Sequence, residues 1–491
     1  MFAPRVLTLA ALVAGCGARP KEGVAPGVLV VAIDGLRADH LSVYGYDRET
    51  CPNLAALAGE GARFEEVFAS APLLLPAHVA LMTGCEPSQA RRYLSPEFEG
   101  ISERRWFIPE RLPRAAVAFL SAGYATAAFV EDERLSDAFG FDRGFQEFRV
   151  LVPESAQDWE GPQSTRVVEH FLRWLATLSP SQPWFAYLEL HALERVWTQP
   201  LAEKESFFPP RPEQDVIPPV ANTDSVLFAI PRSRWRGRVR TLGEYEATYD
   251  DEIRHLDTEL GRLFATLRRL GRDDASTIHV LGAFCVQFCE AGLYLSAGRY
   301  SLADLRVPWI VRPRAGSAAP RGASVPGLVS SLDLVPTALE LEGLAVPPGV
   351  HGRSQAARVR GERGAGERPF VYASCGLQEG CAVIGARHVL EYLAPLTTND
   401  AQLRRSWSGL WTEPARQPKL FFYDRRATPF PPLDEGGSLE RDADFTPLRT
   451  AAIDWLLDMN DLRQILQSPE QAGDTAVIER LARNGYPLPA R

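Results

Sequence analysis

Residues 28–35 read VLVVAIDG. An unbroken apolar, largely β-branched run that stops at Asp34-Gly35 fits a parallel strand buried on both faces, and such strands need helices on each side of the sheet. The segments ATAAFV (125–130), QPWFAYLELH (182–191), STIHVLGAF (276–284) and RVPWIVRP (306–313) carry the same signal. Between them, 52–61 predicts a short helix. A long helix is predicted over 245–270, where Ile253, Leu256, Leu260, Leu263, Leu267 and Leu270 recur at three- and four-residue steps with charges between them. Strands alternating with helices predict an α/β fold, a doubly wound and mostly parallel sheet flanked by helices.

With 491 residues, 45% of them hydrophobic, the chain can fill one large core and a smaller second part. We place the large domain over 28–345. The stretch 346–370 is rich in Pro, Gly and Arg and reads as a linker or long surface loop. Beyond it, FVYASCG, CAVIGARHVLEYLAP and KLFFYDRR predict short strands and 446–466 a helix, which together make a C-terminal α+β subdomain over 371–491. No internal repeats occur.

The formal net charge of −9, with no basic tract against it, argues against nucleic acid as a partner. The first residues have the form of a targeting segment: Arg5 as a basic start, a nine-residue apolar run over 6–14, then Val13-Ala14-Gly15-Cys16. The apolar run is too short to span a bilayer. Small residues before a cysteine resemble the lipobox of bacterial lipoproteins, with 1–15 as signal peptide, Cys16 as the lipidated residue and 16–27 as a tether. The other reading is an ordinary cleaved signal with an incidental cysteine. Either reading predicts export, and the lipobox adds a membrane as partner through Cys16, in the cell membrane or outer membrane, facing periplasm or surface. Six further cysteines (Cys51, Cys85, Cys285, Cys289, Cys375 and Cys381) allow disulfides, free thiols or a zinc site built from the last four.

In open α/β sheets ligands bind beyond the carboxyl ends of the strands. That rule nominates Asp34 after the first strand, Leu74 to His78 at a strand-to-helix turn in APLLLPAHVALMTG (71–84), Glu189 to Glu194 after the third, and Phe284-Cys285 after a late strand. Asp34 can ligate a divalent cation there; Leu74, Ala192 and Phe284 cannot.

VLVVAIDGLRADHLSVYGYDRETCPNLAALAGEGARFEEVFASAP resembles the opening of the sulfatase family of the alkaline phosphatase superfamily. The resemblance continues through YDDEIRHLDTELGRLFATLRRLG (249–271), LRVPWIVRPRAG (305–316) and SSLDLVPTALELEGLAVPPGVHGRS (330–354). It implies an alkaline-phosphatase-like fold and a sulfuric or phosphoric ester hydrolase with one divalent metal (Ca, Mg, Mn or Zn). It also implies a Cys, Ser or Thr nucleophile before a proline at a helix start, then an Arg or His and a Leu-Thr-Gly ending. Pro76, His78 and Leu81-Met82-Thr83-Gly84 match, and the nucleophile position falls on Leu74, whose isobutyl group cannot attack. The family's Asp-His-Gly-Glu falls on Phe284, Cys285, Val286 and Gln287. Its His and later Asp-x-His fall on Glu189, Ala192 and Glu194, and its sulfate-holding histidines fall near Ala291 and Ala297.

Of the implied machinery, Asp34 remains as a remnant metal ligand and His78 as a residual catalytic position, with Arg37 and Asp39 nearby. Asp34 is open to a plainer role, capping its loop and pairing with Arg37. His191 is open to ligation or to a hydrogen-bonded place in the core, and Cys285 to soft-metal ligation, a disulfide or an inert buried thiol. Two functions stay in play. One is a noncatalytic sulfatase-like lipoprotein with a binding or structural role at the cell envelope and no cofactor. Its old crevice would be lined by Leu74, Leu75, His78, Glu189, Phe284 and Cys285 and would hold a small anionic ligand or an envelope partner. The other is an active metal-dependent hydrolase with a rebuilt site.

Overall fold

A computed structural model of the chain describes residues 23–90, 108–151, 163–196, 206–221 (except 215), 229–235, 241–290, 294–376 (except 299, 318, 363 and 365), 380–393, 419–425 and 445–455 (except 453). In chain order the first elements are β1 (Gly27–Gly35), α1 (Pro52–Glu60), β2 (Ala62–Phe68), α2 (Leu74–Thr83), α3 (Ala115–Ser121), β3 (Ala125–Val130), β4 (Glu147–Val150) and α4 (Gln163–Thr177). Next come β5 (Trp184–Leu190), α5 (Ala192–Arg195), the short strands β6 (Val220–Ala221) and β7 (Ile230–Pro231), α6 (Leu242–Arg269), β8 (Ser276–Cys285) and α7 (Leu302–Leu305). The chain closes with β9 (Arg306–Arg312), β10 (Ala323–Ser330), α8 (Leu334–Leu341), α9 (Ala356–Val359), β11 (Val371–Gly376), β12 (Gly380–Ile384), β13 (His388–Leu393) and β14 (Lys419–Asp424).

The main sheet has eight strands in the order β10-β2-β9-β8-β1-β5-β3-β4. All pairings are parallel except those of β9, which runs against both β2 and β8. β1 sits between β8 and β5, and its alternation explains the layers. Val28, Val30 and Ala32 belong to one hydrophobic core, while Leu29, Val31 and Ile33 belong to the other, on the opposite face. A strand buried on both faces reads as a continuous apolar run, as residues 28–33 do. The long helix α6 starts three residues before the sequence-based estimate. Its Thr241 and Glu244 form a reciprocal capping box, worth about 1 kcal/mol.

The C-terminal strands form a second sheet, antiparallel, in the order β11-β12-β13-β14. It shares the first core: Val371, Ala373, Ala382, Ile384 and Val389 pack in the same cluster as Val325 and Leu328 of β10. The Ser374 amide donates to the Ser70 carbonyl at 2.8 Å. Residues 351 and 352 donate their amides to the Gly84 carbonyl, and a Cβ on Gly352 would lie 2.0 Å from the Leu332 carbonyl oxygen. The predicted helix over 446–466 lies partly outside the described residues, and Cys16 and the signal segment lie wholly outside them. Among the described residues no helix is long and apolar enough to cross a membrane.

Candidate functional site

The register of the parallel strands builds the site. Ile33 of β1 pairs with Leu190 of β5, so Asp34, still paired to β8 at the end of β1, lies beside His191, the first residue past β5. Phe129 of β3 pairs with Leu188, which brings Glu131 and Asp132 beside Glu189. Gly35 has φ +76°, and a Cβ there would meet the backbone of Leu193 and Glu194 at 3.3 to 3.4 Å, so a glycine lets α5 pack down on the tip of β1. From the other face α2 inserts His78, five residues into a helix whose first residues are entirely apolar.

Asp34 is fully buried and accepts from both sides. His78 Nε2 lies 2.8 Å from Oδ1 and His191 Nδ1 lies 2.7 Å from Oδ2. These two histidine contacts hold the Asp34 carboxyl well below the usual range although burial alone would raise it. His78 Nδ1 is 2.7 Å from the Tyr187 hydroxyl. An ionised carboxylate can only accept, so His78 donates through Nε2 and takes the Tyr187 proton at Nδ1. Burial, with the negative charge of Asp34 beside it, pushes the Tyr187 hydroxyl far above its ordinary value, so it stays a donor.

His191 is 3% exposed and sits among carboxylates. Nδ1 is also 3.4 Å from Glu189 Oε1, and Nε2 is 3.0 Å from Glu194 Oε2 and 3.4 Å from Asp132 Oδ2. Burial opposes its charge, but Glu194, Asp34 and Glu189 together raise it well above an ordinary histidine. Arg134 completes the set by a two-pronged bond to Asp132 at 2.8 and 2.7 Å. Burial and Asp34 push Glu189 toward its protonated form. Glu189 Oε2 accepts the amides of Glu131 and Asp132 at 2.5 and 3.2 Å.

The other nominated residues lie elsewhere. Leu74 and Leu75 are each 4% exposed and Phe284 1%, and all three are packed into the first core with Cys285. An apolar cavity near α2 is lined by Leu81, Met82, Phe141, Tyr187, Leu334 and Val335 and by none of the nominated residues. Cys285 is a free thiol bonded to the carbonyls of Leu36 and Arg306 at 3.4 and 3.1 Å. Cys51, Cys85, Cys289 and Cys381 are free as well, so no disulfide joins Cys285 to Cys289; the Cys375 side chain lies outside the described residues. Asp34 does not pair with Arg37 as the plainer reading expects. Arg37 is drawn instead to Asp39, at 3.0 and 2.8 Å, and to Glu290 at 2.5 Å, while two histidines satisfy Asp34. Ala297 packs at the edge of the core, and residue 291 is not described. His279 is buried in β8, where Trp309 Nε1 donates to it at 3.4 Å.

The sequence singled out neither Tyr187 nor the Glu131-Asp132-x-Arg134 group. The detectable signal was a charged pair directly after an apolar strand. A second cluster it missed joins His40 to Asp250 at 2.8 Å, with the Tyr46 hydroxyl 2.7 Å from Asp250 and 3.0 Å from Glu246 and Arg48 bonded to Asp250.

Asp34, His78 and Glu189 offer ligand atoms within 4.8 Å of one another, so a cation site can be asked of them. Both Asp34 oxygens and both His78 nitrogens are already engaged, which leaves Glu189 Oε1 as the open donor. That atom faces His191. On the other side of Asp34, β8 presents Phe284 and Cys285 at the register positions of Asp34 and Gly35. A calcium or magnesium ion wants about six oxygen ligands, and this arrangement does not fit one without breaking the bonds around Asp34.

A family model described as Sulfatase matches residues 26–344. A sulfatase of Formosa agariphila is 23% identical over 378 residues, covering 66% of this chain and 70% of that protein. Human arylsulfatase A is 36% identical over 93 residues, 19% of this chain and 17% of that protein. The phosphonate monoester hydrolase of Agrobacterium radiobacter superposes with a TM-score of 0.64 at 18% identity, over 89% of this chain and 96% of that one. A 2-O GAG sulfatase does so at 0.63 and 17%, over 91% and 93%. At such identity the structures establish the fold.

Proposed function

The chain belongs to the sulfatase family, and from that premise we propose that it is a noncatalytic member, exported and held at the cell envelope through a lipid on Cys16, with a binding or structural role. One observation carries the reading: Leu74, at the family's nucleophile position, is the first residue of α2 and is packed into the core. Ester cleavage of the family type needs a heteroatom there that can attack and later leave. The residues behind Leu74 support the same reading. Asp34 and His78 bond to each other and to their neighbours, and His78, fully buried, has no ring nitrogen left for an oxyanion. A small anionic ligand approaching from solvent would meet Arg134, one third exposed, before any histidine.

The test is turnover. Purified full-length protein, supplied in turn with Ca²⁺, Mg²⁺, Mn²⁺ and Zn²⁺, is assayed on aryl sulfates, aryl phosphates and phosphonate monoesters. Rates equal to those of buffer with metal alone are expected. Turnover that disappears in Asp34→Asn would establish the alternative, an active hydrolase with a rebuilt site.

A further inference from the structure

We infer that the segment lying along α6, with Val216, Ile217, Val220, Arg232 and Trp235 on its surface, docks on a lipid surface of anionic headgroups. The inference rests on the export in the proposed function, and not on a lipid at Cys16 or on the absence of turnover.

Single exposed apolar side chains are ordinary, whereas a cluster of them marks an interaction face. Among the described residues the three most exposed large hydrophobic side chains are Ile217 at 72%, Val216 at 62% and Trp235 at 51%, and Val220 and Phe207 are exposed in the same segment. Backbone bonds hold the segment together. β6 and β7 pair at Val220–Ile230 and Ala221–Pro231. The Ile230 amide donates to the Pro219 carbonyl at 2.8 Å, and the Trp235 amide to the Arg232 carbonyl at 3.2 Å. At one end the Leu242 amide donates to the Val216 carbonyl at 2.9 Å, which pins Val216 at the start of α6. At the other, the Phe207 amide donates to Asp251 at 2.7 Å and its ring meets that of His255, with centroids 5.1 Å apart. The face therefore follows α6 for about 20 Å, at 1.5 Å per residue.

Charge selects the partner. The expectation of no basic tract holds for the chain as a whole and fails here. Residues 206–240 hold six arginines against three acids, and five of those arginines alternate through PRSRWRGRVR (231–240) with no acid among them. Arg232 is exposed, and Arg236, Arg238 and Arg240 follow in the sequence, outside the described residues. Aliphatic side chains, an indole and arginines together suit a membrane interface. The aliphatic groups enter the acyl boundary, the indole sits among the headgroups and the cations meet anionic lipid. The N-terminus can reach the same surface. Gly27 donates its amide to Ala275, just past the far end of α6, at 3.1 Å. That end lies about 20 Å along the helix from His255, and residues 16–27 can extend about 40 Å.

The experiment is vesicle flotation of the full chain carrying Cys16→Ser, recovered as soluble exported protein so that no lipid is attached. The vesicles are mixed phosphatidylglycerol and phosphatidylcholine, or phosphatidylcholine alone. The chain is expected to float with the mixed vesicles, to bind the neutral ones far less, and to be released by high salt. Ile217→Asp is expected to lower the partition constant about tenfold or more, and Arg232→Gln about fivefold. Both should keep the parent's Tm, because both side chains are exposed. Leu120→Asp, exposed on α3 across the sheet from α6, should bind as the parent does. A parent that does not float with mixed vesicles overturns the inference, as does binding that ignores Ile217→Asp or is equal on neutral vesicles. A chain that dimerises in sedimentation, loses the dimer in Ile217→Asp and ignores vesicles also overturns it, assigning the face to a second copy. Turnover in the ester assay, or a native Cys16 without lipid, would overturn the proposed function and leave this result standing.

Discussion

Replacing Asp34 with asparagine keeps the shape of the side chain and removes its charge. Asp34 accepts two hydrogen bonds, from His78 at 2.8 Å and from His191 at 2.7 Å. An amide has one acceptor oxygen and one donating NH₂, so one histidine must lose its acceptor. His78 can adapt by moving its proton to the Tyr187 side, so the amide nitrogen turns toward His78 and the oxygen toward His191. What is lost is the charge opposite a buried cation, and breaking such a pair costs about 3–5 kcal/mol. Glu189, Glu194 and Asp132 still face His191, so the low end applies, about 3 kcal/mol. With a urea m-value of about 3 kcal/mol/M or more for a chain of this size, the midpoint falls by about 1 M or somewhat less. The assay is urea unfolding followed by fluorescence of the ten tryptophans. Asp39→Asn is the control, because Asp39 makes a two-pronged bond to Arg37 but is 47% exposed, and its loss should cost less than about 1 kcal/mol. An Asp34→Asn midpoint within about 0.3 M of wild type, about 1 kcal/mol, would refute the reasoning.

Tyr187→Phe keeps the ring and strips the proton donated to His78, leaving a buried acceptor unpaired. It should cost about 1–3 kcal/mol, and a double-mutant cycle with Asp34→Asn should be non-additive if the chain Tyr187-His78-Asp34 acts as one unit. Leu74→Ser shortens a buried side chain and should destabilise by about 2–5 kcal/mol without giving ester hydrolysis, since Phe284 and Cys285 still offer no cation ligand; measurable hydrolysis by this variant would count against the account. Burial pushes Glu86 up to about 7. A carboxyl whose folded value is raised favours its neutral form, so its burial cost grows as pH rises from the unfolded value of about 4.3 toward 7. Glu86→Gln should therefore gain about 2 kcal/mol over wild type between pH 5 and pH 8, and parallel stability curves would contradict it. His351 and His279, pushed down by burial to about 4 and about 3, titrate alike in both proteins and cancel in that difference.

The layers of the fold were legible because β1, β3, β5 and β8 are buried on both faces, and burial of that kind writes itself as an apolar run. β2 was not, since Arg63, Glu65 and Glu66 interrupt ARFEEVF and are only half-buried. The reversed direction of β9 leaves no mark on local composition. At the site, Asp34 could be named because it stands at the end of an apolar strand, and His78 because it follows a strand-to-helix turn at the position where the family resemblance implies an Arg or His. That His191 would lie against Asp34 depends on β1 and β5 being neighbours in register, and pairing of that kind is a tertiary fact. The same holds for Glu131, Asp132 and Arg134, which reach the site only because β3 lies beside β5.

The most direct test is a single-turnover experiment, with the chain in stoichiometric excess over an aryl sulfate and each divalent metal present in turn, so that even one covalent event per molecule is counted. The account predicts release of the aryl alcohol at the rate seen in protein-free buffer. A burst of release that scales with the amount of chain would contradict it.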